Sequence, residues 1–442
     1  MKNARVPVLD ILREFVAFPH PRRGRPVGAG EVLGTAAYWG ASLAGALRHA
    51  LFAADETARP PTEPLQAWAF TSKEAEVLAL VHGAGEAICL IPAGSPIAIW
   101  PRRPLGRARV RAAVRLARAA FGPASLELWR LGERVRHAIT ALAEQELHEH
   151  SWSEVCPQAV VVANDHSPRP RGLLLLAAAH GIRTVYIQHA AVGGYESPII
   201  ADRSLLHGRD SAEKYLAQGR PRGTILVVGA LQAAEIARLR RNVTPQAIGL
   251  CPGLYDTPEH FETLLRARLL QFSQTTGAPL LLRYHPREGR PRRWAALCRR
   301  FGIGLVDPAR TSTALYVAGL AALVSGDSNI ALEALAAGCP VFLSAAPERL
   351  TDQYGMIGHG LVRPLSELDA AALASAPRPD PLLARYIHDA GWEPEALLAL
   401  AAELCEVPTL AKPTPEFMSS PIRDAEVWVL RPPARTAAMA GT

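Results

Sequence analysis

The stretch AVVVANDHSPRPRGLLLLAAAHGIRTVYIQHA, residues 159–190, holds two short apolar runs separated by a Pro-containing loop and a longer apolar run. Short β-branched runs bounded by polar residues read as buried strands. RGLLLLAAAHG reads as a buried helix, which Gly181 punctuates. Strand, helix, strand with polar residues at the strand ends is the grammar of an open α/β sheet, where ligands sit beyond the carboxyl ends of the strands. Those ends carry Asn164-Asp165-His166 and Gln188-His189.

The same grammar continues on both sides. SLLHG, the helix-like DSAEKYLAQG and the strand TILVVGA at 224–230 extend the first set. A second set opens with AIGLCPG at 247–253. It continues through a helix near 259–276, the strand PLLLRYHP at 279–286, a helix near 291–301 and the strand GIGLVDP. A helix around 312–318, AALVSGDS at 321–328, a helix near 330–337 and CPVFLSA at 339–345 complete it. The fold class is α/β, as two Rossmann-type halves. Residues 1–65 read as a peripheral N-terminal segment, 66–225 as the first half, 226–405 as the second half and 406–442 as a tail. Before the first set, Arg107, Arg111, Arg115 and Arg118 fall on one face of a helix, with Val110, Val114 and Ala117 on another. That face is an ordinary solvated one or a contact for an anionic membrane or charged acceptor.

Composition bounds the rest. With 442 residues, 49% of them hydrophobic and 20% charged, the chain is neither disordered nor a disulfide-dense miniprotein. Its net charge of +7 suits phosphate or an anionic surface without identifying either, and no nucleic-acid partner is called for. The six cysteines are dispersed, which favours reduced thiols. The amino terminus lacks a secretory pattern and the longest aliphatic run is too short to span a bilayer. The expected location is therefore cytoplasmic, with contact at the inner membrane face left open. HExxH, CxxC, calcium-loop, GxxxxGK[ST] and GxGxxG patterns are missing, so neither a metal nor a resident cofactor is expected.

Several residues suit phosphate and hydroxyl chemistry. His285, in Tyr284-His285-Pro286 at a strand end, can donate to the oxygen of a departing phosphate, with Arg283 or Arg287 neutralising its charge. The alternative is a histidine with a structural hydrogen bond. SGDSN at 325–329 opens a helix: Ser328 or Asn329 can cap it, its first-turn amides attract phosphate, and Glu333 can accept from ribose hydroxyls. In the first half, Asp165 or His189 can deprotonate an acceptor hydroxyl, and the sequence does not choose between them. His207 and Asp210 line the same cleft or serve as a packed histidine and a helix cap, and Glu196 is a further polar candidate.

Together VVVANDHSP, VYIQHA, LLHGRDS, LLRYHP and SGDSNIALEALAAGCPVF resemble bacterial capsule and cell-wall glycosyltransferases of the two-Rossmann-domain, GT-B-like class, near the Kdo and polyol-phosphate transferases. The resemblance covers about 155–345. It implies a nucleotide-sugar donor held by the second domain, with Pro286 beside His285 at the donor phosphate and Ser328, Asn329 and Glu333 at the nucleotide. It implies a polysaccharide or glycolipid acceptor across the cleft, with Asp165 and His189 as base candidates. The activity implied is metal-independent sugar transfer, with CMP, CDP and UDP donors all compatible. A CDP-polyol phosphotransferase, a nucleotide-sugar epimerase and a noncatalytic glycan-binding assembly protein are the alternatives.

Overall fold

The computed structural model describes residues 29–52, 65–82, 88–91, 102–120, 134–154, 156–194, 196–219, 221–253, 256–286, 288, 291–326, 328–345, 352–374, 381–387, 417–418 and 428–430. Arg287, Cys89's side chain and Cys405 lie outside them.

The first sheet contains six parallel strands: β1 (Leu65–Trp68), β2 (Ile88–Ile91), β3 (Ala159–Val162), β4 (Arg183–Ile187), β5 (Arg203–Leu206) and β6 (Thr224–Val227). Their spatial order is β2-β1-β3-β4-β5-β6. All four residues of β3 are buried, which is why it reads as an uninterrupted apolar run. The second sheet is also parallel, with β7 (Ala247–Cys251), β8 (Leu280–Arg283), β9 (Gly304–Val306), β10 (Leu320–Ser325) and β11 (Val341–Leu343) in the order β9-β8-β7-β10-β11. Counted within its own half, this is the doubly wound order 3-2-1-4-5. The two expected α/β halves are thus present.

Helices α1 (Ala29–Phe52), α2 (Ser72–His82), α3 (Arg102–Ala120), α4 (Arg134–Glu154), α5 (Pro168–Ala179), α6 (Arg209–Gln218) and α7 (Leu231–Arg240) accompany the first sheet and the crossing to the second. Pro168 opens α5, and Gly181, at φ 71°, follows its end in the left-handed region that favours glycine. Leu173, Leu174, Leu176 and Ala177 of α5 join Val160, Val162 and Tyr186 in one core. Each such leucine contributes about 1.5–3 kcal/mol on burial. In the second half, α8 (residues 258–276) carries a π-helical turn at Leu265–Leu269 that buries Leu265 and Leu269, and Gly277 ends it at φ 71°. Helices α9 (Pro291–Phe301), α10 (Thr313–Ala318) and α11 (Asn329–Ala336) follow, then α12 (Ala370–Ala374) and α13 (Pro381–Tyr386).

Both chain ends differ from the sequence reading. α1 is not peripheral: Thr35, Ala46 and Ala50 are buried, and Trp39 and Leu43 pack on the first core. The tail is not wholly peripheral either. β13 (Trp428–Leu430) pairs antiparallel with β6, and β12 (Phe417–Met418) pairs with β13. The chain therefore returns from the second half to the edge of the first sheet, where pairing covers an otherwise open edge strand. Helix α13 takes the same path, with Tyr386 O only 2.2 Å from where a Cβ on Gly208 would stand.

On α3 the buried side is Leu105, Ala108, Ala112, Ala113 and Leu116, whereas Val114 is exposed beside the arginines. Among the described residues no helix is long and apolar enough to cross a membrane. Cys251, Cys298 and Cys339 are buried free thiols and Cys156 is an exposed one.

Candidate functional site

In a doubly wound sheet the crevice opens where strand order reverses, because the connections on either side of that point run to opposite faces. In the first half this lies between β1 and β3, and in the second between β7 and β10. The carboxyl ends there are Ala69–Glu74 with Ala163–Ser167, and Pro252–Gly253 with Gly326 and Ser328. The two sets meet. Lys73 Nζ lies 2.9 Å from Glu333 Oε1 and donates to Oε2 at 3.1 Å. Asn329 Oδ1 accepts from the Ala191 amide at 2.6 Å while its Nδ2 donates to Glu333. Burial raises the Glu333 carboxyl above its ordinary range, and Lys73 opposes that shift.

On the first-half side, Glu74 ties the two loops of the switch point together. Its Oε2 accepts from the Phe70 amide at 2.7 Å and its Oε1 from Asn164 Nδ2 at 3.1 Å. Asn164 Oδ1 in turn accepts from the amides of His166 and Ser167, both at 3.0 Å, which fixes the loop that presents His166. Burial also raises Glu74, against those hydrogen bonds.

Asp165 is fully buried. Its Oδ1 accepts from Tyr215 Oη at 2.8 Å, and Tyr186 Oη lies 3.2 Å from Tyr215 Oη. Among the described residues nothing donates to Asp165 Oδ2. Buried Arg171 holds the loop from below by donating to the carbonyls of Asp165 and Pro198, each at 2.9 Å. His166 Nδ1 faces Asp165 Oδ1 at 3.8 Å and is sealed from solvent, while the side chain as a whole is 37% exposed. The exposed part of its ring therefore lies away from Nδ1. Burial pulls the His166 pKa down, but Asp165, Glu196 and Glu74 together carry it above the ordinary value.

His189 stacks on His166, with centroids 6.1 Å apart and planes within 20°. Burial, reinforced by the His166 charge, lowers His189 to about 3, so it stays neutral at physiological pH. The sequence left Asp165 and His189 as alternatives; the geometry instead presents a third residue between them. His166 belongs to the quoted Asn164-Asp165-His166 run, and its signal was the polar triplet itself. Lys73 and Tyr215 carried no comparable local signal.

The remaining first-half candidates make contacts within the fold. His207 is buried, its Nε2 2.8 Å from the Gln188 carbonyl, and burial lowers it to about 4. Gly208 occupies the N-cap of α6, and Asp210, in the first turn, pairs with Lys214 at 2.6 Å rather than capping. Glu196 accepts from the Gly193 amide at 2.8 Å.

In the second half, Ser328 is the N-cap of α11, with its side chain not bonded to the first turn. Buried Ser325, at the end of β10, keeps its hydroxyl without a partner among the described residues. His285 and Pro286 follow β8, one strand from the switch point; His285 is half-buried and Pro286 exposed. Arg283 is buried and committed to a neighbouring loop, donating to Thr311 O at 2.6 Å and Thr313 Oγ1 at 3.4 Å, above the Tyr316 ring. Among the described residues no three His, Cys, Asp or Glu side chains gather as a metal-holding group.

No protein-family model matches the chain, and no curated protein matches it by sequence. Solved structures do resemble it. The UDP-GlcNAc 2-epimerase of Methanocaldococcus jannaschii, in complex with UDP-GlcNAc and UDP, is 11% identical over 77% of this chain and 99% of that one, with a TM-score of 0.44. S. aureus MnaA with UDP is 12% identical over 78% and 98%, at 0.46. The wall teichoic acid polymerase TagF is 9% identical over 85% and 98%, also at 0.44.

Proposed function

We propose that the chain is a glycosyltransferase that moves a sugar from a nucleotide-activated donor on the second half to a hydroxyl of a surface polysaccharide or glycolipid held against the first. What supports this reading is that the two halves touch beside their switch points, through Lys73 with Glu333 and the Ala191 amide with Asn329 at the start of α11. Donor phosphate sits at the Ser328 end of α11, where helix polarity favours negative charge, and His285, after strand β8, is the side chain proposed to donate to it. Asn329 and Glu333 face the nucleotide, and binding there exchanges their contacts with Ala191 and Lys73 for contacts with the ligand. Arg283 supports the adjacent loop.

In the transfer step the acceptor oxygen forms a bond to the anomeric carbon. The bond from that carbon to the phosphate oxygen breaks, and its electron pair leaves with the phosphate. His166 takes the acceptor proton. Asp165, behind it, holds the ring and stabilises the imidazolium, and neutral His189 packs against its face. Chemistry of this kind calls for no metal. A CMP-linked acidic sugar is the first donor to try, ahead of CDP and UDP donors.

Thermal unfolding followed with CMP, CDP, UDP, GDP and ADP, without divalent metal, tests the donor site. One nucleotide should raise the midpoint for the wild type and raise it less for His285→Ala. Mass analysis of products with the matching activated sugars then tests the reaction. A glycosylated acceptor supports transfer. An acceptor bearing the phosphoryl-linked unit would make it a polyol-phosphate transferase, a changed donor without acceptor an epimerase, and glycan binding with the donor intact an assembly protein.

A further inference from the structure

In the first half α1 packs on α3 and α3 on α4, and the exposed surface of these helices is rich in large apolar side chains. Of the nine large hydrophobic side chains exposed among the described residues, five are here: Leu33, Tyr38, Leu47 and Leu51 on α1 and Val114 on α3. Leu33 is 70% exposed and Leu51 is 63% exposed, values that give up most of what burial of a leucine would return. They are not scattered. Leu33, Ala37, Gly40, Ala44, Leu47 and Leu51 follow one another at intervals of four, three, four, three and four, so they form one ridge along α1. All six are exposed, and none carries charge. Isolated exposed leucines need no explanation, but a helix-long apolar ridge does.

The described exposed charges on α1, α3 and α4 have one sign. On these three helices every charged side chain described as exposed is an arginine: Arg48 on α1, Arg107, Arg111 and Arg118 on α3, and Arg136 on α4. The described acidic groups of α4 are buried or half-covered, with Glu144 buried against Arg169 and Glu146 paired to Arg111. On α3, Val114 lies in angle between Arg118 and the half-buried Val110, so apolar and cationic surface adjoin on that helix. A second copy docking ridge to ridge by two-fold symmetry would bring arginine surface against arginine surface, which is repulsive. A surface that is apolar below and anionic at its boundary satisfies both features: leucines enter the acyl boundary and arginines pair with headgroup phosphate.

We infer that the α1 ridge and the arginines flanking it dock the protein on an anionic phospholipid bilayer, lying in the interface without crossing it. None of the residues placed at the cleft lies on α1 or α3, so binding to vesicles is readable without any donor or acceptor.

The test is co-sedimentation of the full chain with phosphatidylcholine vesicles, with and without phosphatidylglycerol, at low and high salt. Wild type should sediment with the phosphatidylglycerol vesicles only. Leu33→Ser/Leu47→Ser/Leu51→Ser should weaken binding about tenfold or more at either salt, since apolar insertion is not screened. Arg107→Gln/Arg118→Gln should weaken it at low salt and converge on wild type at high salt. All substituted residues are exposed, so far-ultraviolet circular dichroism and unfolding midpoints should stay at wild-type values. Wild type that ignores anionic vesicles, or a leucine variant that binds as wild type does, overturns the inference. So does a concentration-dependent dimer in sedimentation velocity that the leucine variant abolishes, because the ridge would then be a contact between copies.

Discussion

Lys73, in the first turn of α2, sets its ammonium 2.9 Å from Oε1 of Glu333 in α11, joining two residues 260 positions apart. A cation in a helical first turn works against the helix dipole, and a buried carboxylate works against desolvation. Their contact offsets both, together with Asn329 donating to Glu333 and Glu76 lying 3.6 Å from Lys73.

Lys73→Met should therefore lower stability in urea titration by about 1–3 kcal/mol at pH 8, because it leaves the buried Glu333 carboxylate without its cation. Burial already raises that carboxyl, and losing the ammonium raises it further. As pH falls through the raised value the carboxyl takes a proton and the buried charge disappears. The gap between variant and wild type should narrow by pH 5; an unchanged gap would assign the loss to packing.

Gly208 gives a second, independent handle. A Cβ there would stand 2.2 Å from Tyr386 O and 2.4 Å from Arg385 O, both backbone atoms that cannot rotate away. Gly208→Ala should cost about 1–3 kcal/mol by forcing α13 off α6. Limited proteolysis should then cut near residues 381–387 faster than in the wild type. Equal cutting rates would mean that the clash is absorbed within α6.

Acid stability follows from three buried histidines. His148 and His189 sit at about 3 and His207 at about 4, in each case chiefly through burial. Between those values and the ordinary 6.5 the unfolded chain binds more protons than the folded one. Their contribution is present above pH 6.5 and is lost as pH falls. Each adds a slope of up to about 1.4 kcal/mol per pH unit, which the raised carboxyls Glu74 and Glu333 partly offset. His148 lies edge-on to Trp68 at 4.3 Å, so His148→Phe keeps an aromatic ring there without a titrating nitrogen. Urea titrations at pH 7, 6 and 5 should give the variant a visibly shallower decline, and a parallel decline would sink the assignment.

The strands and helices of residues 159–345 were legible because parallel strands buried on both faces leave uninterrupted apolar runs, as in Ala159–Val162 and Leu320–Ser325. Strand order was not, since pairing between β1 and β3 leaves no mark within either strand. Without that order the switch points cannot be located, and Lys73 was invisible for this reason. His166 was in view but took second place to Asp165, because only the fold shows that Asp165 is sealed and His166 is not. The return of the chain through β13 rests on three residues, Trp428–Leu430, too few to stand out from a Pro-containing tail.

The division of labour between Asp165 and His166 is open to a signed test once an acceptor assay is in hand. If neutral His166 takes the acceptor proton, the acidic limb of the kcat/KM profile reports its ionisation. Asp165 raises that value, so Asp165→Asn should move the limb to lower pH and reduce kcat by about 10²–10³-fold. Tyr215 donates to Asp165 Oδ1 at 2.8 Å, and Tyr215→Phe leaves the carboxylate with more charge to offer His166. That variant should move the limb the other way, to higher pH, with a smaller loss of kcat. Opposite displacements from two buried residues that do not face the cleft are what a positioned base requires. Loss of activity with the limb fixed in both variants would return Asp165 and Tyr215 to a purely structural role and give the proton to another group.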